Sequence, residues 1–188
     1  MNYETLKLNI PNLISLARLI SIPFTVWLVL NGSMLAAFWV FVAAGISDAL
    51  DGYIAKRFDL RSEIGGFLDP IADKALLVSV FVTLGSAGFL ENWLVILVVF
   101  RDALIVIGAF VYQFLYQDLT MHPLLSSKIN TTFQFLLAMG VMGSAGFAVP
   151  AVAELHLAAY AVAVTTIWSG AAYVIIWGRR ATALEPGE

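Results

Sequence analysis

The sequence predicts an all-α polytopic membrane protein with six transmembrane helices, and three observations carry that expectation. First, 61% of the 188 residues are hydrophobic and only 12% are charged, giving a mean hydropathy of +0.89; a soluble domain carries about 25% charged residues. Second, the apolar excess falls into six stretches: Ile10–Leu30, Met34–Ile54, Phe67–Gly88, Asn92–Tyr116, Ile129–Val149 and Ala151–Trp177. Each can cross a hydrocarbon core, which takes about 20 helical residues. Third, the links between them are short. The chain, 1–188, therefore reads as a single transmembrane domain, with 1–9 as an interfacial lead-in and 179–188 as a tail.

The basic residues orient these spans. The links after the first, third and fifth spans contain no Lys or Arg. The N-terminus, the other two links and the tail hold Lys7, Lys56, Arg57, Arg61, Lys128, Arg179 and Arg180. Cytoplasmic loops are enriched in such cations, so both termini and those two links are expected on the cytoplasmic side. An even number of spans agrees with that. Arg18, Lys74 and Arg101 lie inside spans, in the halves nearer the cytoplasm. No signal or transit peptide is recognisable before the first span. Cysteine is absent, which excludes disulfides, thiolate metal sites and a cysteine nucleophile. No nucleic-acid partner is expected.

The second and third spans carry the chemistry. Asp48 and Asp51 are spaced i,i+3 and share a helix face; Asp69 and Asp73 are spaced i,i+4 on the next helix. A short cytoplasmic link makes these helices antiparallel neighbours, so four carboxylates can converge in the cytoplasmic half of the membrane. An ionised Asp in a span costs about 2.5–3.5 kcal/mol even on the lenient insertion scale, and four together repel one another. One or two divalent cations neutralise the cluster and take up its oxygens. An all-carboxylate set without Cys or clustered His suits a hard ion, Mg²⁺ or Mn²⁺. Gly52 and Gly65 leave the neighbouring helix surface bare for a bulky phosphorylated ligand. The competing structural reading pairs the acids with Lys56, Arg57, Arg61 and Lys74, but four acids at these spacings beside two glycines favour the metal.

The run Asp48-x2-Asp51-Gly52-x2-Ala55-Lys56-x8-Gly65-x3-Asp69-x3-Asp73 resembles the signature of the CDP-alcohol phosphatidyltransferases, D-x2-D-G-x2-A-R-x8-G-x3-D-x3-D. The one departure is Lys56, which keeps the charge of the usual Arg but loses its bidentate fork. The resemblance implies that fold and a transfer of the phosphatidyl group from CDP-diacylglycerol to an alcohol. It implies Asp48, Asp51, Asp69 and Asp73 as ligands of two Mg²⁺ or Mn²⁺ ions, with Asp73 also the general base. Asn12, Gly52, Ala55, Lys56 and Gly65 would hold the CDP donor. It further implies a homodimer in a bacterial cytoplasmic membrane, with the active site on the cytoplasmic side.

The resemblance reaches most of the chain and bears on the acceptor. Asn9-Ile10-Pro11-Asn12 through Arg18 is similar to the first helix of the branch that makes phosphatidylglycerophosphate and cardiolipin. Pro11 suits a helix start. Asn12 fits either a helix cap or a polar stripe with Ser15 and Arg18. Ser126-Ser127-Lys128-Ile129-Asn130-Thr131-Thr132-Phe133-Gln134 is similar to the S-K-x-N-T-x-x-Q segment of cardiolipin synthases of this family. Phosphatidylglycerophosphate synthases more often show G-K-x-K-T there. One fewer cation suits a phosphodiester such as phosphatidylglycerol over the phosphomonoester glycerol 3-phosphate. Arg18, Arg101, Lys128 and Asn130 are the implied acceptor residues, although Arg101-Asp102 also fits simple self-compensation. Gly140 and Ser144 suggest a close helix contact, His122 a loop residue and His156 a packed one. A cation transporter is the principal non-enzyme alternative, but it needs polar groups through the full membrane depth, and here they crowd one half.

Overall fold

A computed structural model describes the backbone of residues 3–58, 63–116 and 125–183, with side chains described for 16–48, 74–108, 125–151 and 153–176. These residues form six helices and no strand: α1 (Tyr3–Leu30), α2 (Met34–Phe58), α3 (Glu63–Ser86), α4 (Asn92–Tyr116), α5 (Leu125–Gly146) and α6 (Val152–Ala183). Each expected span corresponds to one helix, but most helices run past the apolar stretch. Apolarity marks what can enter lipid, whereas helical hydrogen bonding continues until a breaker stops it. α6 passes Arg179 and Arg180 to end at Ala183, so the expected tail begins as helix; cations there are favoured by the macrodipole. Pro11 does not start α1, which begins at Tyr3 and carries Pro11 and Pro23 in its interior. Asn12 is accordingly an interior residue and not a cap. Interior prolines are tolerated in membrane helices because neighbouring groups re-satisfy the freed carbonyls.

The three cation-free links share one stop signal. After α1, Ser33 N–H bonds to Leu28 C=O at 2.9 Å and Gly32 N–H to Val29 C=O at 3.0 Å, with Gly32 at φ 73°. After α3, Phe89 N–H bonds to Leu84 C=O and Gly88 N–H to Gly85 C=O, with Gly88 at φ 79°. These are Schellman caps, in which a left-handed glycine closes the last turn. After α5, Val149 N–H reaches Ser144 C=O at 3.0 Å and the left-handed position is held by Ala148, φ 54°. A residue with a Cβ is strained there.

The chain divides into two compact units, residues 1–90 with 138–151, and 91–137 with 152–188. In the first, α1 packs against both α2 and α3, and Phe41, Val80, Phe81, Leu84, Ala138 and Met142 are buried. The end of α5 lies close to α2 at two glycines. A Cβ on Gly143 would lie 3.3 Å from the Phe38 ring, and one on Gly146 would lie 2.8 Å from the Leu35 backbone. Backbone cannot give way as a side-chain tip can. Gly146→Ala should therefore destabilise the protein by about 1–3 kcal/mol, the usual range for overpacking, while Gly143→Ala should cost less. Thermal midpoints of the two variants in detergent check the order. In the second unit α4 packs on α6, around Leu94, Val98, Ile105, Val162 and Ala163.

Hydroxyls inside the helices are satisfied locally. Thr25 Oγ1 donates to Ser21 C=O at 2.8 Å, Thr83 Oγ1 to Ser79 C=O at 2.6 Å and Thr131 Oγ1 to Ser127 C=O at 3.0 Å. This one-turn back-bonding lets Ser and Thr lie among apolar residues. His156, expected to be packed, is exposed instead. Its Nδ1 stands 3.8 Å from Glu91 Oε1, and both side chains are more than half exposed. Glu91 also accepts a hydrogen bond from Trp93 Nε1, and the Trp93 ring lies 6.1 Å from that of Tyr160. His156 belongs to a polar-aromatic rim because it sits in the first turns of α6, where the apolar stretch begins.

Candidate active site

The four aspartates occupy two helices that both flank α1. Asp48 and Asp51 lie on α2, and Asp69 and Asp73 on α3. The side chains of Asp51, Asp69 and Asp73 fall outside the described residues, as do those of Asn12, Gly52, Ala55, Lys56 and Gly65. Asp48 is described, and its Oδ1 accepts from Arg18 Nη1 at 2.8 Å. The Arg18 side chain is 1% exposed, whereas that of Asp48 is 41% exposed. Arg18, expected at the acceptor, is thus brought to the first aspartate of the signature. Alongside runs a groove between α1 and α2, lined by Ala17, Ser21, Phe24, Val40, Ala43 and Ser47. Arg18 lines this groove as well.

Among the described residues no three metal-binding side chains cluster, since Asp48 alone of the four aspartates has a described side chain. The donor chemistry nevertheless fits a hard divalent ion. The set is carboxylate only, the chain lacks Cys, and the one described carboxylate is partly accessible while backed by a buried cation.

The second unit holds a buried polar seam. Arg101 on α4 is 2% exposed and Asp102 4%. Arg101 Nη1 donates to Asp102 Oδ1 at 2.5 Å, and Nη2 donates to Ser127 Oγ on α5 at 2.9 Å and to Ser169 Oγ on α6. The Arg101 stem packs where a Cβ on Gly170 would stand, 3.5 Å away. One turn along, Asn130 Oδ1 accepts from Thr166 Oγ1 at 2.9 Å, and Thr165 Oγ1 lies at the same distance. Asn130 and Gln134 are wholly buried. Two of the residues expected at the acceptor, Arg101 and Asn130, thus share one seam. Lys128 does not join them, because it stands on the exposed side of α5. Residues two apart on a helix point away from each other. Ser127 and Gln134 stand within the S-K-x-N-T-x-x-Q segment but were given no role, and Thr165, Thr166 and Ser169 were not anticipated. The run Thr165-Thr166-x2-Ser169 in an otherwise apolar span was the signal available for three of them.

Comparison with known proteins agrees with the signature. Residues 8–176 match the CDP-alcohol phosphatidyltransferase pattern. The chain belongs to that family. Its members generally use divalent metal ions and are membrane-associated. The chain is 35% identical over 187 residues to the chloroplastic CDP-diacylglycerol–glycerol-3-phosphate 3-phosphatidyltransferase 1 of rice, covering 89% of this chain and 56% of that one. It is 34% identical over 143 residues to a probable cardiolipin synthase (CMP-forming) of Drosophila melanogaster, covering 68% and 44%. A probable phosphatidylglycerophosphate synthase of Mycobacterium tuberculosis is 30% identical over 165 residues, covering 85% and 75%. The chain thus spans about half the length of the first two relatives.

Proposed function

We propose that this chain transfers the phosphatidyl group of CDP-diacylglycerol to phosphatidylglycerol, giving cardiolipin and CMP. The observation that carries the reading is the signature itself, intact at all but Lys56 and carried on two helices that flank α1. Asp48, Asp51, Asp69 and Asp73 would hold two Mg²⁺ or Mn²⁺ ions. Bound there, such ions neutralise charge on the pyrophosphate and on the departing CMP. Asp73 accepts the proton of the attacking hydroxyl. Asn12, Gly52, Ala55, Lys56 and Gly65 hold the CDP moiety. Arg18, Arg101, Lys128 and Asn130 are the proposed acceptor residues.

All six helices are proposed to cross a bacterial cytoplasmic membrane as one catalytic domain, with a homodimer as the working unit. Among the described residues, Ala153–Ile176 is long and apolar enough to span, and Leu16–Leu30, Met34–Asp48 and Lys74–Ser86 are shorter apolar segments. Large apolar side chains point outward on several helices, including Ile20 (64% exposed), Ile96 (67%) and Leu157 (73%). Lipid accommodates such a surface, which water does not favour. The distribution of Lys and Arg supports a cytoplasmic active site.

Glycerol 3-phosphate is the second reading for the acceptor, favoured by the names of the rice and mycobacterial relatives. Against it stands Asn130 where a phosphomonoester-using branch more often has Lys. Purified protein given CDP-diacylglycerol and Mg²⁺ or Mn²⁺ should release CMP and form cardiolipin with phosphatidylglycerol, and release little CMP with glycerol 3-phosphate. Formation of phosphatidylglycerophosphate alone would transfer the assignment to glycerol 3-phosphate. No CMP release with either acceptor would remove the enzymatic reading.

A further inference from the structure

The second unit buries more hydrogen-bonding capacity than it uses. Arg101 Nε, Ser126 Oγ, Asn130 Nδ2 and both amide atoms of Gln134 have no partner among the described residues. Asn130 and Gln134 are 0% exposed, and Arg101 2%. Ser126, Asn130 and Gln134 are spaced i, i+4, i+8, so they form one stripe on α5, with neighbours about 5–6 Å apart. Thr165, Thr166 and Ser169 of α6 reach the same seam, to Asn130 and Arg101. Buried amides are otherwise almost always paired, and an orphaned one destabilises the fold.

The chemistry of the unused groups narrows what would satisfy them. Two amide NH₂ groups and the Arg101 Nε–H only donate, Gln134 Oε1 only accepts, and the Ser126 hydroxyl can do either. A surplus of donors calls for an oxygen. Asp102 offsets the charge of Arg101, so the seam as it stands calls for a neutral oxygen and not a phosphate dianion. Thr166 donates to Asn130 Oδ1, with Thr165 Oγ1 at the same distance, which leaves Nδ2 as the unpaired end of the amide.

We propose that the Asn130–Gln134 stripe is a binding site for a neutral hydroxyl oxygen. Its source is either water or the free glycerol hydroxyl of the lipid acceptor that does not attack; the second source rests on the acceptor reading above. Gln134 is then a specificity-determining residue, and Thr165 and Thr166 are positioning residues that act through Asn130.

Gln134→Leu, which keeps the volume and removes the amide, tests this. Thermal midpoint is measured in detergent without lipid substrates, and KM is measured for donor and acceptor separately. Bound water predicts a midpoint lowered by about 2–4 °C with both KM values unchanged, the effect of one net hydrogen bond in a chain of this size. An acceptor hydroxyl predicts an unlowered midpoint and an acceptor KM raised about fivefold, with donor KM unchanged. An unlowered midpoint with both KM values unchanged overturns the proposal, because the amide would then have held nothing. Gln134→Met, unbranched and of matching length, repeats the measurement if Leu perturbs packing. The acceptor used is whichever the product analysis identifies, so failure of the cardiolipin assignment leaves this test standing.

Discussion

Asp69→Asn should give a helical, membrane-inserted protein whose turnover is about 100-fold or more slower, the loss expected when several kcal/mol of charge stabilisation is withdrawn. The same is expected of Asp48→Asn, Asp51→Asn and Asp73→Asn. The amide preserves shape and an oxygen but not the negative charge, so it separates ligation from packing. Asp48 gives the sharpest case. Its Oδ1 is the atom that meets Arg18 at 2.8 Å, and asparagine retains an oxygen there. Circular dichroism should accordingly change little while rate collapses; the thermal midpoint of Asp48→Asn should fall somewhat, because buried Arg18 loses that opposite charge. A near-normal rate for any of Asp48, Asp51 or Asp69 removes that residue from the metal set. A near-normal rate for Asp73→Asn removes the general base.

The helices were legible because the apolar residues come in six runs, and about 20 apolar residues in a row mark a segment that satisfies its own backbone groups as helix. Links were legible too, since Gly32 and Gly88 are left-handed stop residues beside polar ones. The helix ends were not, because Lys, Arg, Glu and Ser continue a helix as readily as they leave the membrane. That is why α6 runs beyond Arg180, and why Pro11 lies in the interior of α1.

The first aspartate and its partner were each visible as charges inside spans, but the Arg18–Asp48 pairing depends on how α1 rotates against α2. Single-helix periodicity cannot supply that angle, least of all in helices apolar all round. The same limitation hid the seam of the second unit. Arg101, Asp102 and Asn130 were singled out as unusual residues in apolar company, whereas Thr165, Thr166 and Ser169 become informative only once α4, α5 and α6 bring them together. Small hydroxyl residues are common in membrane helices and usually bond to their own backbone, as Thr131 does here.

Asp102→Ala should destabilise the protein by about 3–5 kcal/mol, the usual cost of leaving one half of a buried ion pair uncompensated. Arg101 and Asp102 are 2% and 4% exposed, and their contact at 2.5 Å is the guanidinium's only charged one among the described residues. Without Asp102, Arg101 keeps the hydroxyls of Ser127 and Ser169, which bring dipoles but no opposite charge. Water cannot supply the difference inside an apolar bundle without opening it. The double variant Arg101→Met with Asp102→Leu should recover most of the loss, because buried pairs replaced by apolar residues of similar volume are often neutral or better. Thermal midpoints of the two single variants and the double variant in one detergent form the cycle. If Asp102→Ala melts with the wild type, the pair does not carry the packing of α4 against α5 and α6. If the double variant regains stability but raises the KM of the acceptor alone, Arg101 contacts the acceptor as well as supporting the fold.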